Sequence, residues 1–241
     1  MIERFNEIFS EIFKKNGLGA YVHSESIEKF QNLTQIMMET NAVMNITAIT
    51  EVGKIIALHY ADCVKIADLI PKNASVVDVG CGGGFPILPL AIVRPDLKLI
   101  GIDSTEKKAK YVAETGKQLG LNVQTIAGRA EELAKIPSMR QSFDVAVSRA
   151  VARLNILDEL CMPFVKNGGY FITMKGAAGL QELDEARQGI KKMGGKIDKT
   201  KEYSLYTEKQ VERRTIFIIK QENAMPEIYP RAFAAIKKKP L

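Results

Sequence analysis

Asp78 stands two residues ahead of Gly80, and Gly82, Gly83 and Gly84 follow it within the run VVDVGCGGGFPILPLAIV. The opening VVDV reads as a strand, and the apolar pattern after Phe85 reads as a helix. Glycines at such a turn permit positive φ and let a ligand lie against the backbone. The helix start adds free N–H groups and a partial positive charge. A dinucleotide is the usual occupant, with the fingerprint GxGxxG and an acid about 20 residues further on. Here Phe85 takes the third glycine's place, and Asp78 would repel a pyrophosphate. A ligand with a sulfonium and an α-ammonium reverses the sign. At about 4 Å and an effective dielectric of about 20, opposite unit charges gain about 4 kcal/mol before desolvation. Asp103, ending the strand-like KLIGID, is placed for two ribose hydroxyls. Together these features favour S-adenosylmethionine, with a merely loop-stabilising Asp78 as the alternative.

The elements that must hold these residues are legible around them. Before Pro71 the chain reads as helices. Ile2, Phe5, Phe9, Ile12 and Phe13 make one apolar stripe, Asn16-Gly17 stops it, and Ser24 is placed to cap a second helix. A third helix carries Ile55, Ile56, Leu58, His59, Asp62 and Ile66. After Pro71 the runs SVVDVG, KLIGID, NVQTIA, FDVAVS and GYFITMKG alternate with helical stretches, the signature of βαβ units and a mostly parallel sheet. KEYSLYT and RTIFIIK then read as two strands without a helix between them. The expectation is a doubly wound α/β domain over 71–225, a helical cap over 1–70 and a basic tail over 226–241. Ligands of such sheets sit at the carboxyl ends of the strands.

Composition narrows the class. The 241 residues are 46% hydrophobic and 26% charged, with three scattered cysteines, no CxxC and two histidines. No disulfide scaffold, zinc site or other metal is expected, and neither is a membrane span. The N-terminus lacks the apolar core of a signal peptide, so a cytoplasmic protein is expected. The net charge of +6 is uneven: residues 185–241 carry 14 Lys and Arg against 7 Asp and Glu, whereas 1–184 carry 20 against 21. That excess is either a solvated surface or an edge facing a polyanion.

The pattern D-x-G-x-G-x-G with an acid ending the next strand resembles the class I S-adenosylmethionine-dependent methyltransferases, whose Rossmann-like seven-stranded, mostly parallel sheet closes with an antiparallel hairpin. Longer stretches are more specific. MNITAITEVGKIIALHYADCV, DVGCGGGFPILPLAIVRPDLKLIGIDSTEKKAKYV, GRAEEL, FDVAVSRAV, MKG and PRAFAAIKKKPL occur in this order. Together they resemble the RsmG (GidB) family over nearly the whole chain. The resemblance implies methyl transfer from S-adenosylmethionine to N7 of a guanosine in 16S ribosomal RNA, free or within the small ribosomal subunit or its precursor, by a monomer. It also implies that Gly80 and Phe85 hold the methionine end of the cofactor, that Asp103 with Ser104 holds the ribose, that Ala130 and Glu131 flank the adenine, and that Arg149 lies beside the cofactor and the substrate pocket. Ile87 departs from the family, which usually has Gly there.

The residues themselves leave alternatives. Ser104 could cap the following helix, and Arg149 could form an ordinary ion pair. Lys175 could meet RNA phosphate or guanine O6, or be a snorkelling surface lysine. His59 and Asp62 read as a satisfied structural pair, and Cys161 reads as core. Arg231 with Lys237, Lys238 and Lys239 reads as an RNA-backbone contact. No catalytic acid or base is assigned, because guanine N7 has a free lone pair at neutral pH. The rivals are a methyltransferase for protein or small molecules, a nicotinamide-dependent oxidoreductase and a non-catalytic RNA-binding module.

Overall fold

From Ser75 onward strands and helices alternate until the last two strands, which follow each other directly. In the computed structural model, which describes residues 4–241, seven strands form one sheet in the order β3-β2-β1-β4-β5-β7-β6. Here β1 is Ser75–Val79, β2 Lys98–Asp103, β3 Val123–Ala127, β4 Phe143–Arg149, β5 Val165–Lys175, β6 Gly195–Tyr206 and β7 Val211–Gln221. The first five pair in parallel, and β7 runs antiparallel to both β5 and β6. The expected parallel sheet closed by a hairpin is therefore what forms. The order reverses between β1 and β4, where such sheets open a crevice at their carboxyl edge.

Successive side chains of a strand point to opposite faces, and β1 shows what each face meets. Val76 joins a cluster with the N-terminal helices, while Val77 and Val79 join a second cluster on the other face. The first cluster is built on α1 (Phe5–Lys15), α2 (Ser24–Met44), α5 (Ile87–Val93) and α6 (Glu106–Gln118). The second is built on α8 (Leu154–Cys161) and α9 (Gly179–Lys192).

Phe9 stacks on Phe13 at 3.9 Å and meets Phe30 at 5.1 Å, and Phe30 meets Tyr60 at 4.8 Å. Aromatic pairs of this kind add to the area they bury. These rings share one cluster with Val76 and Leu88, so the N-terminal helices complete the core of the sheet. Ile2, expected in the α1 stripe, lies outside the described residues. The cap of α2 is not Ser24: His23 accepts from the Ser26 N–H while the Ser26 hydroxyl accepts from the His23 N–H.

The third helix departs from its α-helical reading. It starts as α3 (Val52–Lys54), widens to π-helical geometry over Ile55–Ala61 and ends as α4 (Asp62–Val64). The Asp62 N–H bonds Ala57 O in place of Leu58 O. Wide turns of this kind occur frequently at functional sites. The segment 226–241 is docked rather than loose. Arg140 donates to Tyr229 O at 2.7 Å, and α10 (Phe233–Lys238) buries Ile236 in the second cluster.

Candidate functional site

Two cavities open at the carboxyl edge of the sheet, and a single short segment divides them. The smaller, of about 290 Å³, lies over the ends of β1, β2 and β3 and includes Gly80, Asp103, Ser104, Ala130, Glu131 and Phe233 in its lining. The larger, of about 520 Å³, lies over the ends of β4 and β5 and includes His59, Asp62, Arg149, Lys175, Glu182 and Arg214. Val151 lines both. Just before it, Ala150 takes a left-handed φ of 57° as the chain leaves β4.

In the smaller cavity, Gly80 has φ +76°, and a Cβ there would stand 2.5 Å from a methyl of Val151. Only glycine fits the turn and keeps the backbone open to a ligand. Asp103 is clamped by backbone: Oδ2 accepts from the Gly82 N–H at 2.9 Å and Oδ1 from the Thr105 N–H at 2.8 Å. Each oxygen keeps a lone pair for a further donor. Ser104 is exposed, and α6 starts without a side-chain cap, so Ser104 does not cap it. Glu131, in α7 (Ala130–Leu133), is buried and held by Arg129. The Arg129 guanidinium in turn lies 4.7 Å over the Phe233 ring.

Asp78 sits beneath this turn with no exposed surface. Its Oδ2 accepts from the Ile87 N–H at 3.2 Å, and Oδ1 is a buried oxygen without a partner among the described residues. The carboxylate thus braces the loop, the alternative left open above. Burial pushes its carboxyl up to about 7, and a cation bound over the turn would favour its charged form. A pinned acceptor pair, a turn that only glycine fits and a buried, half-satisfied carboxylate all suit a cationic nucleoside.

The larger cavity is organised by Asp62, which is 3% exposed. Its Oδ1 accepts from the Tyr203 hydroxyl at 2.6 Å with Arg214 Nε at 3.5 Å, and its Oδ2 accepts from Arg149 Nη1 at 3.2 Å. Arg149 Nη1 also donates to Leu58 O at 2.6 Å, the carbonyl that the π-helical turn deprives of Asp62 N–H. Arg149 is therefore held by three groups of one helix, since Nη2 reaches His59. His59 stacks flat on Phe85, ring centroids 4.4 Å apart, and Arg149 lies 5.6 Å over the same ring. The expected His59–Asp62 pair is instead two separate contacts to one arginine. Phe85 lies behind the glycine turn, in the lining of neither cavity.

Two readings need correction. Lys175 is neither a free RNA contact nor a snorkelling surface lysine: it is 8% exposed, donates to Ala152 O at 2.6 Å and pairs with Glu182 at 2.9 Å. Arg231 grips the fully buried Glu159 through Nε and Nη2, the latter at 2.6 Å. It anchors the C-terminal segment and is not free for a phosphate, whereas Lys237, Lys238 and Lys239 stay exposed. Cys161 is buried, and burial raises its thiol well above the ordinary range, which suits core and not a nucleophile. Phe233, Glu182 and the π-helical turn were missed. PRAFAA gave the only hint of the first, as an apolar ring after a Pro-Arg turn.

Among the described residues no helix is long and apolar enough to cross a membrane, and no cluster of His, Cys, Asp and Glu could hold a metal ion. Comparison with solved structures agrees on the fold: an O-methyltransferase from Bacillus cereus superposes with a TM-score of 0.56 at 15% identity, over 91% of this chain and 100% of that one. Sequence comparison reaches further. A small-subunit ribosomal RNA methyltransferase G from Brevibacillus brevis is 40% identical over 98% of both chains, and one from Clostridium novyi is 38% identical over 91% of this chain and 90% of its own. The profile of the GidB family, described as rRNA small subunit methyltransferase G, matches residues 26–235. With both cavities and nearly the whole length inside those matches, the chain belongs to the GidB family of small-subunit ribosomal RNA methyltransferases.

Proposed function

We propose that this protein transfers the methyl group of S-adenosylmethionine to N7 of one guanosine in 16S ribosomal RNA. It would act in the cytoplasm as a monomer, on the small ribosomal subunit or its precursor. The observation that carries this reading is the pair of cavities meeting at Val151, one ending in the pinned carboxylate of Asp103 and the other walled by cations. When bound, S-adenosylmethionine supplies an electrophilic methyl group, and guanine N7 has a lone pair free to receive it.

No proton has to be removed first, so the protein's task is placement and electrostatics. In this reading Asp103, with Ser104, takes the ribose hydroxyls. Gly80 opens the backbone to the methionine portion, and Phe85 braces that turn from behind. Ala130 and Glu131 flank the adenine, with Phe233 as the outer wall. Arg149 lines the larger cavity, two residues before Val151, its direction set by Asp62, Leu58 and His59. The carboxylates that hold it and the neighbouring lysine keep four basic side chains from crowding one another, since Arg149, Arg153, Lys175 and Arg214 share the wall with Asp62 and Glu182.

The test is transfer of labelled methyl to small subunits from a strain lacking the enzyme, followed by chemical cleavage at N7-methylguanosine. Label at one N7-guanosine site is the expected result. Label at another atom would move the substrate, and no label on particles or naked RNA, despite tight cofactor binding, would overturn the reading.

A further inference from the structure

The larger cavity has two carboxylates in its wall, and they are in different states. Both oxygens of Asp62 are committed to Tyr203, Arg149 and the nearby Arg214. Glu182 is not used up in this way. The Leu154 N–H donates to its Oε2 at 2.9 Å, and Lys175 Nζ lies 2.9 Å from the same Oε2. Its Oε1 has no partner among the described hydrogen bonds and is not a buried atom, although the side chain as a whole is only 16% exposed. Glu182 is thus a carboxylate with one oxygen locked and the other uncommitted at the cavity wall.

The neighbours make that orientation firm. Leu154 N–H belongs to the first turn of α8 and Lys175 ends β5, so a helix start and a strand end fix the same oxygen. Lys175 is itself tied to Ala152 O at 2.6 Å, in the segment that divides the cavities. A group that accepts hydrogen bonds and is held this rigidly is suited to reading donors. Among the bases, guanine alone carries a ring N1–H beside an exocyclic amine.

We propose that Glu182 is a specificity-determining residue, whose free Oε1 accepts from the 2-amino group of the target guanine; this rests on the guanine-N7 reading above. A second benefit follows from charge. Methylation at N7 leaves a positive charge on the purine, and a carboxylate at the opposite edge gains attraction as that charge grows. With N7 held at the methyl group, adenine presents C2–H where guanine has its amine, and the pyrimidines have no N7 to place there, so each would leave the carboxylate unpaired in the cavity.

The Glu182→Gln variant is a sharp probe. Its amide oxygen must take the place of Oε2, because the Leu154 N–H donates there and the Lys175 ammonium lies 2.9 Å from the same atom. The amide NH₂ then points at the guanine amine, donor against donor. The experiment compares kcat/KM for small subunits reconstituted with 16S RNA carrying guanosine, inosine or 7-deazaguanosine at the target position. Inosine lacks only the 2-amino group, and 7-deazaguanosine lacks N7. With the native protein, inosine should be methylated roughly ten- to hundredfold more slowly than guanosine. Glu182→Gln should lower guanosine turnover by a similar factor and change inosine by less than about threefold.

Equal native rates on guanosine and inosine would overturn the proposal, and so would a variant that slows both substrates alike, as a merely structural role requires. If Glu182→Gln does not fold, the native guanosine-to-inosine ratio decides alone. Methylation of 7-deazaguanosine would instead sink the N7 reading, which keeps the two failures apart.

Discussion

Arg149 Nη2 lies 2.9 Å from His59 Nδ1, and the arginine must be the donor. His59 is therefore neutral, with its proton on Nε2, which donates to Thr47 Oγ1 at 2.8 Å. Burial, and then the Arg149 charge, lower the imidazole pKa to about 3. The imidazole lies flat on Phe85, the two rings 9° apart, and offers its edge to the arginine.

That state has a pH signature. In the unfolded chain His59 takes up a proton below about pH 6.5, while in the folded chain it does so only near 3. Its contribution to stability is present above the unfolded value and is lost progressively as pH falls from there towards about 3. His59→Gln cannot titrate. Between pH 7 and 4.5 the native protein should lose about 2–3 kcal/mol relative to this variant in urea unfolding. Parallel stability curves across that range would show that His59 is protonated in the fold.

Asp103 bears on the cofactor directly. Its two oxygens are positioned by Gly82 and Thr105 N–H groups before any ligand arrives. Asp103→Ala removes the acceptors and releases the glycine turn at once. Cofactor affinity should fall by about 1–3 kcal/mol, the range for an unmade hydrogen bond to a charged group. Calorimetric affinity equal to that of the native protein would refute the ribose role.

Gly80→Ala attacks the same cavity by shape. Its Cβ would stand 2.5 Å from a Val151 methyl, at φ +76°. The left-handed conformation alone costs about 1–2 kcal/mol for a residue with a side chain, and Val151 must also shift from the wall between the cavities. The variant should melt at lower temperature and bind the cofactor at least about tenfold more weakly. A variant that melts early but binds normally would free Val151 of any part in shaping the cleft.

How far the sequence foretold all this varied with the kind of signal. Alternating apolar runs announced the parallel sheet, because a strand buried on both faces leaves a short continuous hydrophobic word. Gly80 and Asp103 were legible because a glycine at a strand end and an acid at the next strand end are local patterns. Lys175 and Arg231 were misread because their partners, Glu182 and Glu159, are close only after folding; a lone basic residue carries no mark of a buried carboxylate. The π-helical turn was invisible for a related reason. Its apolar spacing reads as an ordinary helix, and the widening shows only when Arg149 claims Leu58 O. Phe233 sits more than a hundred residues beyond Glu131, so its place in the same cavity is wholly a product of topology.

The C-terminal charge can now be divided. Arg231 is committed to Glu159, and α10 is docked through Ile236, so this helix and the residue that caps it present Lys237, Lys238 and Lys239 from a fixed position. Its first residue, Phe233, lines the smaller cavity. Lysines on a docked helix start from an ordered backbone, so they bind a polyanion at a lower entropic cost than a free tail. Each phosphate neutralised on single-stranded RNA contributes about 0.7 to the slope of log affinity against log salt. Replacing all three lysines by Ala should therefore flatten that slope by about 2 for RNA, with cofactor affinity unchanged. Filter binding over a salt series and calorimetry with cofactor give the two readouts. An unchanged slope would place the RNA elsewhere, and a parallel loss of cofactor affinity would mean that the substitutions had undocked α10 and pulled Phe233 from the cleft.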